Sequence, residues 1–354
     1  MSRFLKEKYK GLKPYTPGEQ PQDKKYIKLN TNESPYPPSQ RAVELAKEEL
    51  GRLMLYPDPD QRRLLCLLAD EYGVSEEEVI VTNGSDEVLN FAFMAYCDED
   101  TPAVFPDITY GFYKVFAEIN GLSMTTIPLK ADFSVDVDAF INTRGTVFIA
   151  NPNAPTGISL PLSEIERLLE SDRNRVVVID EAYVDFGGES CIPLTKKYDN
   201  LLVTATFSKS RSMAGARLGF GIGSRELTRD LVRIKYSTNP YNVNRATAAA
   251  GIGALLDKEY FLGNCKKVIE AREYTVRALT ELGFDLTDSR ANFVFARSAS
   301  IDGGELYLEL KRRGILVRHF NADRISEYVR ITVGTMEQMQ TLVYTIKEIL
   351  EGLQ

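Results

Sequence analysis

Residues 176–186 read VVVIDEAYVDF. Four apolar residues run without alternation into Asp180 and Glu181. An alternating strand shows one face to water, whereas an unbroken apolar run suits a strand covered on both faces, as in a parallel sheet. Further candidate strands, several of them short apolar blocks of this kind, lie at Val79–Thr82, Ala103–Phe105, Met124–Pro128, Thr146–Ala150, Leu201–Thr206 and Leu218–Gly223. Helical patterns, for instance Glu87–Cys97 and Ser163–Leu169, separate them. The spacing predicts an α/β domain built on a mostly parallel sheet.

Beyond Asn244 the pattern changes. A small-residue helix is expected over Arg245–Leu255 and long charged helical stretches over Asp257–Leu282. Strands follow at Asn292–Arg297, Ile315–Arg318 and Tyr328–Val333, then an amphipathic helix at Met336–Leu353. This suits a smaller α+β domain. Residues 1–40, rich in proline, lysine and tyrosine, read as an extended arm with a first helix over 2–10. The expected division is arm 1–40, packing on the small domain, large domain 41–244 and small domain 245–354.

Composition narrows the chemistry. The 354 residues carry a net charge of −7, which disfavours binding to a phosphate backbone, so no nucleic-acid partner is expected. The opening MSRFLKEKYKGLKPYTPG is charged and lacks the apolar core of a secretory signal. No run is long enough for a membrane span. Cys66, Cys97, Cys191 and Cys265 form no CxxC pair and read as buried residues of a reduced, cytoplasmic protein. His319 is the single histidine, which excludes multi-histidine metal sites; no metal is expected. By strand alternation His319 would point away from the face that Arg318 uses. Any difficult chemistry then falls to lysine, tyrosine, carboxylates or an organic cofactor.

Four segments bear on that chemistry. In VTNGSDEVLNF (81–91) a strand ends, Gly84 turns and a helix opens near Asp86, and a helix N-terminus can hold a phosphate. Alone it is equally an ordinary turn with Asp86 as cap. NPNAPTG (151–157) is a rigid loop at a strand end, where α/β proteins bind ligands. At 176–186, Asp180 could pair with a protonated pyridine nitrogen and Tyr183 with a ring hydroxyl. Surface acids, or a magnesium ligand, would look the same, but no upstream GxxxxGK[ST] supports a nucleotide site. In TFSKSRSMAGARLGF (206–220), Lys209 is a candidate Schiff-base nucleophile, with Thr206, Ser208 and Arg217 offering hydroxyls and a guanidinium to a phosphate. A lone lysine there would be a solvated basic loop. Together the four supply a phosphate cup, a ring-nitrogen partner, a ring-oxygen partner and an amine, the set that pyridoxal phosphate needs.

Over nearly its whole length the sequence resembles the class II, fold-type-I pyridoxal-phosphate-dependent aminotransferases. It is similar in particular to the histidinol-phosphate aminotransferase family, through LKPYTPG, LNTNESP, LYPDPDQ, DEAYVDF, TFSKSRSMAGARLGF and RITVGT. The resemblance implies roles. Gly84, Ser85, Asp86, Thr206, Ser208 and Arg217 would surround the cofactor phosphate, and Tyr110 would lie against the ring. Asp180 would hold the pyridine nitrogen and Tyr183 the ring oxygen O3′. Tyr15, Arg318 and Arg330 would receive substrate anions, with Asn292 nearby. Tyr56 would reach the other subunit's site, so a homodimer with shared active sites is implied. The implied reaction is ping-pong transamination between histidinol phosphate and a 2-oxo acid, 2-oxoglutarate, in histidine biosynthesis. An aromatic aminotransferase, or a lyase resembling threonine-phosphate decarboxylase, would share the cofactor site. A regulator without catalysis would have no use for Lys209, Asp180, Tyr183 and Arg217 together.

One position departs from the family pattern. NPNNPTG has become NPNAPTG, with Ala154 where the family's asparagine touches O3′. Asn153 then shifts to serve the cofactor, or Tyr183 works alone or with water. The resemblance also implies a cis bond at Ala154–Pro155.

Overall fold

A computed structural model describes residues 2–353. Its strands are β1 (Ile27–Lys28), β2 (Val79–Thr82), β3 (Ala103–Pro106), β4 (Met124–Ile127), β5 (Thr146–Ala150), β6 (Val177–Asp180), β7 (Leu201–Thr206), β8 (Gly219–Gly223), β9 (Phe284–Leu286), β10 (Phe293–Ser298), β11 (Ile315–Leu316), β12 (Arg318–His319) and β13 (Tyr328–Thr332). Seven of them form one sheet in the order β2-β8-β7-β6-β5-β3-β4. Every neighbouring pair is parallel except the two made by β8. The all-apolar runs have their explanation here. Val147, Ile149, Val177, Ile179, Leu201 and Val203 pack on one face, whereas Phe148, Ala150, Val178 and Leu202 pack on the other. Both faces are covered by helices, so alternation would leave polar groups buried. Phe148, wholly buried and stacked 4.0 Å from Phe93, contributes about 1.5–3 kcal/mol by burial.

The order brings the carboxyl ends of β5, β6 and β7 side by side, and β8 admits the start of a neighbouring helix. A Cβ on Gly219 would lie 2.2 Å from the Ser85 nitrogen, so only glycine lets the helix Ser85–Tyr96 begin against this strand.

A second, antiparallel sheet runs β12-β13-β10-β9. Its core includes Phe293, Val329, Ile331, Leu342 and Ile346, and takes in Leu29 from the N-terminal segment and Tyr183 and Phe186 from beyond β6. β1 pairs in parallel with β11. The Leu29 carbonyl also accepts from the Thr332 N–H. These bonds hold residues 27–29 beside β11 and the end of β13.

Several expectations change. The first helix covers only Glu7–Lys10, too short for an apolar face. The run expected as one strand at 315–318 divides at Val317, because β11 pairs with β1 and β12 with β13. β1 and β9 are too short to show a periodicity. Residues Lys258–Glu281 form one continuous helix. Cys66 is exposed rather than buried, on a helix flank beside Asp70; the other three cysteines are buried, and all four are free thiols. No helix among the described residues is long and apolar enough to cross a membrane.

Candidate active site

At the carboxyl ends of β5, β6 and β7 lies a cavity of about 270 Å³. It joins a second, of about 380 Å³, through the shared residues Thr31, Tyr110, Ala154, Tyr183 and Lys209. Together they make one cleft with a floor on the large sheet and a far wall on the small one.

At one end of the floor, helix Ser85–Tyr96 starts with Ser85 and Asp86 on the cavity wall. The first N–H groups of a helix have no partner within it and attract an anion. Gly84, at φ 78°, makes the turn, and a Cβ there would come within 2.7 Å of the Arg217 guanidinium. Arg217 itself takes a left-handed conformation, φ 57°, and its Nη2 donates to Asp86 at 2.7 Å. The Thr206 hydroxyl donates to Ser208 Oγ at 3.0 Å. N–H groups, two hydroxyls and a guanidinium thus converge where β7 and β2 end.

At the other end stands Asp180, buried and without a cationic partner among the described residues. Its Oδ2 accepts from the Tyr113 hydroxyl at 3.2 Å. Its Oδ1 accepts from Thr204 Oγ1 and the Ala182 N–H, each at 3.3 Å. Burial pushes its pKa up to about 6, and the charge of Asp86 adds to that. Glu181 points elsewhere. It accepts from Ser190 Oγ and the Cys191 N–H, and burial pushes it up to about 7.

Lys209 stands where the two cavities meet. Its Nζ donates to the Thr31 carbonyl at 3.4 Å and lies 5.7 Å from the centre of the Tyr183 ring. Glu33 shares its cavity. Burial opposes ionisation of Glu33, but Lys28, Thr31 and the charge of Lys209 hold its pKa below the ordinary value. Tyr110 donates to Asp86 Oδ1 at 2.7 Å, and burial keeps its own proton on well above the usual range.

The far wall is cationic. Arg318 and Arg330 are directly paired across β12 and β13, so both project from the same face. Both guanidiniums sit 5.5 Å from the Phe320 ring centre. Arg330 Nη2 donates to the Asn30 carbonyl at 3.1 Å, while its buried Nε has no partner among the described residues. Arg318 donates to the carbonyls of Thr16 and Pro17 at 3.0 and 3.2 Å. Neither makes a salt bridge with a carboxylate of the described chain. Burial, and the neighbouring Arg318, pull the Arg330 pKa down. Tyr15 lines the same cavity, stacked on Phe112 at 4.4 Å. His319 faces the other way, its Nε2 2.7 Å from the Ser326 carbonyl, as alternation requires.

The structure therefore brings together Gly84, Ser85, Asp86, Tyr110, Asp180, Tyr183, Thr206, Ser208, Lys209, Arg217, Tyr15, Arg318 and Arg330. Asn292 lies just behind, donating from Nδ2 to the Asn32 carbonyl. Two residues stand apart. Asn153 does not turn toward the cavity. Its Nδ2 donates to the Ile108 carbonyl and Thr156 Oγ1, and its Oδ1 accepts from Thr109. Both Nδ2 protons are spent within the loop, so of the two alternatives that Ala154 leaves open the geometry favours Tyr183 over Asn153. Both Asn151–Pro152 and Ala154–Pro155 are cis. Tyr56 is 77% exposed, outside the cleft, stacked on Tyr241 at 4.5 Å.

Sequence reasoning missed Tyr113, Thr204, Phe320 and Asn32. Tyr113 stands among Tyr110, Phe112 and Phe116, and one helical residue among several aromatics carries no mark of facing Asp180. Asn32 lay inside the quoted LNTNESP. Only the tertiary fold shows its Nδ2 donating to the Tyr183 hydroxyl at 3.0 Å.

Residues 24–346 match the family "aminotransferase class I and II". A histidinol-phosphate aminotransferase of Brachyspira hyodysenteriae is 48% identical over 354 residues, covering 99% of this chain and 100% of that one. One of Clostridium acetobutylicum is 48% identical over 349 residues, covering 98% and 99%. Among solved structures, the histidinol-phosphate aminotransferase of Sinorhizobium meliloti in complex with pyridoxal-5′-phosphate matches with a TM-score of 0.85. It covers 94% of this chain and 92% of that one, and at 22% identity it is a likeness of fold.

Proposed function

The chain belongs to the aminotransferase class I and II family, and from that premise we propose that it is a histidinol-phosphate aminotransferase dependent on pyridoxal 5′-phosphate. The amino donor is histidinol phosphate and the acceptor a 2-oxo acid, 2-oxoglutarate, in histidine biosynthesis. The observation that carries the substrate reading is the pair Arg318 and Arg330, two adjacent guanidiniums without a carboxylate, one with a buried unpaired Nε. A single carboxylate needs one such fork, whereas a phosphate can accept from both.

The cofactor fits the floor of the cleft. Asp180 is a buried carboxylate lacking a cation, and a protonated ring nitrogen would supply one. When bound, pyridoxal phosphate supplies an aldehyde carbon that condenses with amines and a ring that accepts the electron pair left when the adjacent C–H bond breaks. Asp180 would keep a proton on the ring nitrogen. Tyr183 would donate to the ring oxygen, and Tyr110 would cover the ring. Ser85, Thr206, Ser208 and Arg217, with the Asp86 N–H and the turn at Gly84, would hold the phosphate. Lys209, bridging the two cavities, would anchor the cofactor through its amine. When free, it takes the proton from the substrate carbon next to nitrogen. Arg330 holds the glutamate carboxylate in one half-reaction. In the other, Arg330, Arg318 and Tyr15 hold the substrate phosphate, with Asn292 supporting the wall from behind.

We further propose a cytoplasmic homodimer, with no nucleic-acid or membrane partner, in which exposed Tyr56 completes the partner's site. The arm 1–40, large domain 41–244 and small domain 245–354 are the matching division of the chain. The test is product analysis. Enzyme loaded with pyridoxal phosphate should lose its visible band on adding glutamate and recover it with 2-oxoglutarate. It should also release a carbonyl product from histidinol phosphate. Preference for phenylalanine or tyrosine would install the aromatic reading, and release of carbon dioxide from threonine phosphate the lyase reading.

A further inference from the structure

Tyr183 has an unusual hydroxyl environment. Its Oη accepts from Asn32 Nδ2 at 3.0 Å, and its own proton finds no acceptor among the described residues, although the residue is buried and lines both cavities. Buried hydroxyls ordinarily use their proton. Asn32 is itself held from several sides. It is 1% exposed and sits at φ 57°, a conformation that asparagine tolerates and most residues do not. Its N–H donates to Thr332 Oγ1 at 2.9 Å, and its carbonyl accepts from Asn292 Nδ2 at 3.0 Å. The Thr332 hydroxyl, having accepted that N–H, spends its proton on Asn32 Oδ1 at 3.0 Å. In this arrangement Oδ1 faces Thr332 and Nδ2 faces Tyr183.

We propose that Asn32 is a positioning residue whose amide, locked by Thr332, makes Tyr183 an acceptor on its buried side and aims its proton into the cleft. A donor is what a ring oxygen bearing negative charge requires there. With Ala154 offering only a methyl and Asn153 spent within its loop, this single oriented hydroxyl does the work of two donors. A tyrosine free to rotate would divide its proton between the cleft and other acceptors. The network also ties ring-oxygen contact to the N-terminal segment and to β13, the strand that bears Arg330.

The inference rests on the pyridoxal-phosphate reading, and its test can fail separately. The probe is pyridoxal 5′-phosphate itself, read by its dissociation constant and by the pH midpoint of the visible band in the resting enzyme. A donor to the ring oxygen draws charge away from the neighbouring protonated nitrogen, so losing an oriented donor raises that midpoint. Asn32→Gly keeps the left-handed backbone at little cost and removes the amide. Thr332→Val keeps Asn32 and the side-chain shape but releases the amide. Each should raise the midpoint by about half a unit to one unit and weaken cofactor binding roughly threefold to tenfold. In a Tyr183→Phe background, neither should add a further shift. A residue that merely supports the fold would add its full effect in that background, and this would overturn the inference. So would a midpoint unmoved in both single variants while the wild-type band is present. Should Asn32→Gly fail to fold, Thr332→Val decides alone. A wild-type protein with no visible band would remove the cofactor reading, and the inference with it.

Discussion

Consider removing Arg318 alone. Its two donors now rest on the carbonyls of Thr16 and Pro17. The side chain is half-buried, so moving it to a ligand exchanges two neutral acceptors for charged ones. A phosphate near neutral pH carries close to two charges. A hydrogen bond to a charged group is worth about 1.5–3 kcal/mol, and partial solvation favours the lower part of that range. Arg318→Ala should therefore reduce kcat/KM for histidinol phosphate by about one to two orders of magnitude. Glutamate offers its carboxylate to Arg330, whose buried Nε and free donors suffice for one fork. The glutamate half-reaction should slow by no more than roughly threefold. Arg330→Met should damage both halves by about a hundredfold or more, because its register partner Arg318 is the more exposed of the two. The assay is single-turnover loss of the visible band with glutamate alone, then with histidinol phosphate alone. Equal slowing of both halves by Arg318→Ala would show that the two arginines do not divide the work.

Lys209→Ala should eliminate the visible band and the borohydride-trapped adduct while leaving thermal unfolding of the apoenzyme nearly unchanged; a trapped adduct in the variant would reassign the lysine. Asp180→Asn should weaken cofactor binding and flatten a pH dependence of the apoenzyme. Burial raises the Asp180 pKa from 3.8 to about 6, so the folded state holds its proton longer than the unfolded chain. The stability this confers is complete below about pH 4 and is lost as pH rises toward about 6. Urea unfolding across that window should show a shallower decline in the variant, and an unchanged slope would mean Asp180 is not the titrating group. Exposed Tyr56 should serve the neighbouring site. Mixed dimers of Tyr56→Ala with Lys209→Ala should regain part of the activity that each homodimer lacks, and verified mixed dimers without recovery would count against a shared site.

The large sheet was legible because its signal is local. A strand buried on both faces must be apolar throughout, so Val176–Asp180 and Leu201–Thr206 announced themselves by composition. Lys209, Asp180, Tyr183 and Arg217 were legible for a related reason. Asp180 ends such a strand, Tyr183 and Lys209 follow one by three residues, and Arg217 closes the loop after β7, and strand ends in a parallel sheet point to one side. The 315–318 run was misread as one strand because Ile315, Leu316 and Val317 lead straight into Arg318 with no turn residue to mark a break. Pairing with different partners is a property of the neighbours. The choice that Ala154 leaves between Asn153 and Tyr183 was not legible for the same reason. A loop asparagine can bind a ligand or its own loop, and its sequence is identical in either case.

By itself, then, the sequence determined what each strand end could offer: an amine, a carboxylate, a phenol and a phosphate cup, in chain order. Their types follow from residue identity, and their side of the sheet from strand direction. Only the tertiary structure decided which groups are spent and which remain available. Asn153 is consumed by Ile108, Thr109 and Thr156, while Arg330 keeps a free buried Nε and Tyr183 a free proton. Hydrogen-bonding capacity is finite, and its partners can come from segments 300 residues apart, such as Asn32 and Thr332. No local pattern records that allocation, because it is fixed only when the second sheet and the N-terminal segment close over the first.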